Sequence, residues 1–215
     1  IFFSISSEGI PANADCFRPS IDTNGRIIVF ESTATNLNST YSTQLEGQRS
    51  MQVFLHNRDV NGSLVYADDY DTYLVSELSG NIANSDATGP KVSLDGDVVA
   101  FVSDATNLST IATNGRSQIW MRGLVNGVPS GDISLVSCDN SLPIPIAGNN
   151  DSNEVAINGG SNTPVYGLQI AFSSTADNLV TNDTNEVSDI FVRNFVIPAT
   201  PSTTRVSVSN PRVSF

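Results

Sequence analysis

One eight-residue pattern, Phe-x-Ser-x-Ala-x-Asn-Leu, occurs three times: FESTATNL at 30–37, FVSDATNL at 101–108 and FSSTADNL at 172–179. The leading residues Phe30, Phe101 and Phe172 are 71 positions apart both times. Self-similarity at a fixed long period marks a repeat architecture and constrains the fold more than any local propensity.

Around this motif each repeat reads as four short strands. In the first, residues 19–22 and 26–32 flank Asn24-Gly25, which supplies the positive φ of a tight hairpin; in the second, 90–93 and 97–103 flank Asp95-Gly96. In the third, strands at 154–158 and 168–174 are separated by a turn six residues longer, and an insertion confined to a turn leaves the unit intact. Third strands align at 51–56, 117–122 and 188–193, each with a β-branched residue followed by an aromatic, as in a strand buried between sheets. Fourth strands are expected at 72–76, 133–137 and 203–209. An Asn-x-Asp precedes each repeat (Asn13 and Asp15, Asn84 and Asp86, Asn149 and Asp151), where short polar side chains are expected to close Asx turns. No helical period holds for three turns, so helix is expected to be negligible.

The string TADNLVTNDTNEVSDIFVRN at 175–194, with LQIAFSS before it and TTRVSVS after it, resembles the TolB-like (WD40-like) β-propeller repeat family. The resemblance covers nearly the whole chain in three copies and implies a fold: all-β, with three four-stranded antiparallel propeller-type blades. Such propellers serve as binding scaffolds, peptidase covers and structural arrays, so it implies no single function. The resulting division is a surplus strand and link at 1–16 and blades at 17–80, 81–147 and 148–215.

Closed propellers use about four to eight blades, and a blade buries its apolar faces only against neighbours. Three blades form an incomplete propeller, to be completed by oligomerisation. The opening FSISSEGIPANAD reads as the end of a fourth strand plus a link, which makes the apolar strand carrying Ile1, Phe2, Phe3 and Ile5 surplus in one copy. Its open fates are to cap its own last blade, to be the cut end of a longer protein, or to join a neighbouring copy. A head-to-tail contact is heterologous and gives a ring or a filament.

Hydrophobic residues make up 39% and charged residues 15%, with polarity carried by Ser, Thr and Asn, unlike a disordered chain. A net charge of −12 with one lysine, Lys91, disfavours nucleic acid and anionic membranes, and no apolar run spans a bilayer. The opening is too short and too poor in basic residues for a signal peptide, and the missing Met reads as a mature or trimmed chain. Scarce lysine and sequons at Asn38, Asn61, Asn107, Asn150 and Asn182 suggest an exported protein: extracellular, cell-surface or periplasmic. Cys16 and Cys138 are compatible with one disulfide.

Motifs of serine hydrolases, nucleotide binding and zinc proteases are missing. The single histidine, His56, aligns with Arg122 and Arg193 and is expected on a strand surface, while Trp120 is expected in the inter-blade core. The loop holding Asp177, Asp183, Asn185 and Asp189 has an oxygen density suited to calcium, with Asp68, Asp69 and Asp71 a weaker cluster. Paired acids also permit a glycosidase reading, whose required separation a sequence does not reveal. The favoured function is a non-enzymatic structural protein assembling with copies of itself. The alternatives are a glycan- or protein-binding propeller closed as a dimer and a propeller fragment of a larger surface protein.

Overall fold

The structure, a computed structural model, describes residues 3–62, 69–159, 167–195 and 200–208. Blade 1 is an antiparallel meander of β1 (Cys16–Ile21), β2 (Ile27–Ser32), β3 (Gln52–Asn57) and β4 (Asp71–Leu74). A two-stranded hairpin of β5 (Glu77–Leu78) and β6 (Asn81–Ile82) leads into blade 2, made of β7 (Ala87–Val92), β8 (Val98–Ser103), β9 (Gln118–Val125) and β10 (Val128–Leu135). Blade 3 comprises β11 (Ser152–Ile157), β12 (Leu168–Ser174), β13 (Asp189–Phe195) and β14 (Ser202–Arg205). The fold is therefore all-β and propeller-like, with three four-stranded sheets among the described residues and no closure into a ring.

The fixed positions of the Phe-x-Ser-x-Ala-x-Asn-Leu motif each have a structural task, the alanines Ala34, Ala105 and Ala176 among them as buried residues. Phe30, Phe101 and Phe172 are 4%, 0% and 1% exposed, and the closing Leu37, Leu108 and Leu179 are buried beside them. Phe30 stacks on Phe54 and Phe172 on Phe191, with ring centroids 6.0 and 5.8 Å apart; in blade 2 the partner position is Trp120, whose indole N–H donates to the Ser103 carbonyl. The motif serine accepts the N–H two residues on, at 2.9 Å for Ser32 and 3.1 Å for both Ser103 and Ser174. Its own hydroxyl donates to the carbonyl of Asp15, Asp86 or Asp151.

The motif asparagine and the Asn-x-Asp asparagine prove to be two halves of one clasp. Asn13, Asn84 and Asn149 each donate a backbone N–H to the side-chain oxygen of Asn36, Asn107 or Asn178, at 2.9 Å in all three blades. Their side-chain oxygens accept in return from the N–H of Thr35, Thr106 and Asp177. The Asx turns expected from local sequence are replaced by a contact more than 20 residues long-range, because the strand pair β1–β2 brings the two loops side by side.

Two sheet faces are apolar, and each packs on a neighbour. Blade 1 contributes Val29, Val53 and Val75 to a cluster with Phe101, Trp120 and Leu135 of blade 2. Blade 2 contributes Ala100, Ile119 and Val136 to a cluster with Phe172 and Phe191 of blade 3. A third cluster around Phe30, Phe54 and Leu74 is covered by Leu45 and by the link residues Ala12 and Ala14.

Three features depart from expectation. The first strands begin at Cys16, Ala87 and Ser152, upstream of the expected starts, because each contains a bulge with positive φ at Arg18, Gly89 and Glu154 that breaks the two-residue alternation. A short helix, α1 (Ser42–Gln48), lies in the connection between β2 and β3 and buries only Leu45; two turns are too few to register as a period. The β9–β10 hairpin turns at Asn126-Gly127, both with positive φ, a signal present in the sequence. A Cβ at Gly127 would fall 2.5 Å from Nδ2 of Asn57 and 2.8 Å from Cδ1 of Ile27, so that hairpin is pressed against blade 1.

Replacing Phe101 or Phe172 by alanine is expected to lower the unfolding free energy by about 3–5 kcal/mol, the usual cost of emptying a packed aromatic site. Chemical denaturation measures it, and a loss below about 1 kcal/mol at either position would contradict the shared register.

Candidate assembly interface

The N-terminal link folds as the two internal links do. Ile5 bridges Pro11 just as Glu77 pairs with Ile82 and Cys138 bridges Ala147. Ser4, Ser76 and Ser137 accept from the N–H of Ala12, Ala83 and Gly148, at 2.9, 2.8 and 2.9 Å. Phe3, Val75 and Val136 therefore occupy one repeat position, and so does Val206: its N–H donates to Ile190 in the way that Val75 donates to Val53 and Val136 to Ile119. Of the four residues expected in the surplus strand, Phe3 and Ile5 are described and lie on their own blade 1; Ile1 and Phe2 fall outside the described residues.

Blade 1 grips this link through β3 and β4. The Thr72 hydroxyl donates to the Ile5 carbonyl at 2.6 Å, matching Thr203 to Cys138 at 2.7 Å in blade 3. In blades 2 and 3 an arginine completes the grip: Arg122 donates to the carbonyls of Val75 and Glu77 and pairs with the Glu77 carboxylate at 2.6 Å, and Arg193 donates to the carbonyls of Cys138 and Asp139.

His56 fills that position in blade 1 and is 2% exposed, not on a strand surface as expected. It packs 6.2 Å from the Phe3 ring and 5.4 Å from Tyr70, with Arg58 stacked 4.7 Å from the Phe3 centroid. Because the Thr72 hydroxyl gives its hydrogen to Ile5, Nδ1 of His56, 2.9 Å away, is the donor, and the imidazole is neutral at Nε2. Burial and the Arg58 charge push its pKa down to about 4, against a smaller opposing pull from Asp71.

At the two ends of the array, positions that are buried inside are open. Val53 and Ile119 are fully buried, yet their counterpart Ile190 is 42% exposed; Val75 and Val136 are fully buried, yet Val206 is 50% exposed. On the opposite end Ile21 is 55% exposed where Val92 is 6% exposed, and Pro19 is exposed where Pro90 is buried.

The acidic loop is built around a guanidinium. Arg205 lies 2.6 Å from Asp183 and 3.1 Å from Asp189, and Asp189 also accepts from Ser207 and Asn185. These hydrogen bonds, the Ser207 hydroxyl foremost, hold the Asp189 carboxyl below its ordinary pKa. Asp177 is engaged elsewhere, accepting from Asn149 in the clasp. The set expected for calcium is thus drawn to two different partners, with Arg205 supplying the positive charge, and no three acidic, His or Cys side chains are grouped for a metal among the described residues. Asp69 accepts from the Asn61 N–H and Asp71 from the Tyr73 hydroxyl, while Asp68 lies outside the described residues.

The expected bridge between Cys16 and Cys138 is not formed. Both thiols are free and sit in different clusters, Cys138 between blades 1 and 2 and Cys16 at the edge of the cluster around Phe30. Burial raises the Cys138 pKa to about 11. Among the sequons, Asn61 and Asn182 are exposed, Asn150 is half-buried, and the amides of Asn38 and Asn107 are committed to the carbonyls of Thr72 and Ile82. Trp120 is 1% exposed, in the inter-blade core as expected. A hollow of about 490 Å³ between blades 2 and 3 is lined by Asp139, Asn140 and Thr203, with the Asp139 carboxylate tied into its own loop by Ser141 and Ile146. No described helix is long and apolar enough to cross a membrane.

No protein-family model matches the chain, and no curated protein matches it. Among solved structures it is similar to TolB from Acinetobacter baumannii, with a TM-score of 0.43 and 14% identity over 91% of this chain; the chain spans 33% of that one.

The buried neutral His56 makes the grip on the link sensitive to acid. Its folded pKa lies below the unfolded value of 6.5, so its contribution is complete above pH 6.5 and is lost as the pH falls towards 4, on the order of 3 kcal/mol in all. Denaturation midpoints between pH 7 and pH 4 should fall more steeply for the native chain than for H56Q; parallel slopes would dissociate His56 from the effect.

Proposed function

We propose that the protein is a non-enzymatic extracellular structural protein, which assembles head to tail with copies of itself through an exchanged N-terminal strand to form a filament or ring. The observation that carries this reading is the exposure of Ile190 and Val206 at positions buried in both preceding blades. A blade face open to water leaves apolar area uncovered, and the surface nearest in shape is the matching face of another copy. Localisation outside the cytoplasm is supported by scarce lysine and by sequons whose asparagines, Asn61 and Asn182, are exposed.

Strand exchange takes a concrete form from the links. Phe3 and Val206 share one repeat position, so an incoming copy brings its Phe3 to the place held by Val206 of the receiving copy. One of the two segments must yield. Val206 and Val208 are 50% and 58% exposed, and the bonds of Val206 and Ser207 to Ile190 are ones that an incoming Phe3 and Ser4 can remake, whereas Ile5 is held by Thr72 and Phe3 lies against His56 and Arg58. The receiving copy therefore gives up its own residues 206–208 and takes the neighbour's segment.

Removing residues 1–6 is expected to abolish assembly, with sedimentation velocity and negative-stain microscopy showing monomers where the intact chain forms polymers or rings. Assembly unchanged by the deletion would refute strand exchange, and an intact chain that stays monomeric at high concentration would refute self-assembly altogether.

A further inference from the structure

The two internal junctions share a polar lock that the ends of the array leave half made. Just before the third strand, Met51 of blade 1 donates its N–H to the Asp86 carboxylate of blade 2 at 2.7 Å and accepts from the Ala87 N–H at 2.8 Å. Ser117 of blade 2 repeats this towards blade 3, donating to Asp151 at 3.1 Å and accepting from Ser152 at 2.8 Å. In each case one residue is clamped by a consecutive acceptor and donor of the following blade. The third counterpart, Ser188, is exposed, and no bond to its N–H is found among the described residues. At the other end, Asp15 and Cys16 form the matching acceptor and donor, and no hydrogen bond to the Asp15 carboxylate is found among the described residues.

Apolar surface is divided in the same way. Blade 3 carries a hollow of about 240 Å³ on its open face, lined by Ala156, Ile157, Asn158, Gln169, Ala171 and Val192. The corresponding face of blade 1 receives β7, whose Val92 is 6% exposed and donates its N–H to Ser20, the counterpart of Ala156. Ile21 is the repeat counterpart of Val92 and stands 55% exposed at the opposite end.

From these matched halves we infer that a second copy of this chain docks on the open face of blade 3 in the geometry of the internal junctions. The Ser188 N–H donates to Asp15 of the neighbour, the Ser188 carbonyl accepts from the Cys16 N–H, and Ile21 seats in the hollow beside Ala156 while Ile190 is covered. This junction rests on the self-assembly reading and adds a register to it. The contact is heterologous, since the residues given by one end differ from those given by the other.

The test uses the 215-residue chain and the variants D15A, I21D and I190D, followed by sedimentation velocity over a concentration series. Each variant should raise the concentration for half-assembly by at least ~10-fold, as expected for groups at the centre of an interface. L142D, which changes a residue 70% exposed in the link between β10 and β11, should assemble as the native chain does. I21D keeps a sound blade 3 face and I190D a sound blade 1 face, so an equimolar mixture should stop at dimers. A native chain that assembles, with I21D and I190D assembling equally well, overturns this junction and leaves self-assembly by another contact. A mixture of the two that grows into polymers also overturns it, and a native chain that never assembles overturns the reading beneath it. Circular dichroism melts matching the native monomer show that the variants remain folded.

Discussion

A four-stranded sheet that is apolar on both faces cannot be stable alone, and every other feature of this protein follows from that constraint. In blade 1, β2 and β3 are buried along their whole length, and in blade 2 β8 is nearly so. Such strands must be sandwiched, as the strands of stacked sheets are. Fully burying a Val, Ile or Phe side chain contributes roughly 1.5–3 kcal/mol, so a face of several such residues dominates the energetics of each junction. Stacking blades in order is the solution that the repeat permits, because each face meets a nearly identical partner.

Apolar faces alone do not set a register, and here polar groups do. The asparagine clasp ties the loop after β2 to the link before β1 within a blade, while the Asp86 and Asp151 carboxylates tie each link to the third strand of the preceding blade. One loop thus serves both the interior of its own blade and the junction behind it. The two tasks fall to neighbouring side chains: the link asparagine closes its own blade, and the aspartate two residues on reaches the blade before it.

The ends of the array show the same chemistry without its partners. In blade 1 the link and α1 cover the face around Phe30, so that end keeps its large aromatics buried while presenting Pro19, Ile21 and Asp15. In blade 3 Arg205 satisfies Asp183 and Asp189, yet Ile190 and Val206 face outwards beside them. His56 replaces the arginine of the other two grips. A neutral imidazole needs no counter-charge, and the carboxylate that pairs with Arg122, on Glu77, has the apolar Ile5 as its counterpart in the N-terminal link.

The blade count, the strand order, the burial of the three phenylalanines and the kinship of the N-terminal segment with the internal links were all determined by the sequence alone, since repetition reports on every copy at once. Local reading went astray where a side chain answers to a distant one. Asn13 reads locally as a turn former, and the pairing of β1 with β2 makes it half of a clasp; His56 reads as a surface residue, and Phe3 and Tyr70 cover it. Whether Cys16 and Cys138 meet was likewise decided only by the tertiary structure, which places them in separate clusters. Periodicity is written along the chain and can be read there, whereas a hydrogen bond or an ion pair between residues far apart in sequence exists only once packing has fixed which side chains are neighbours.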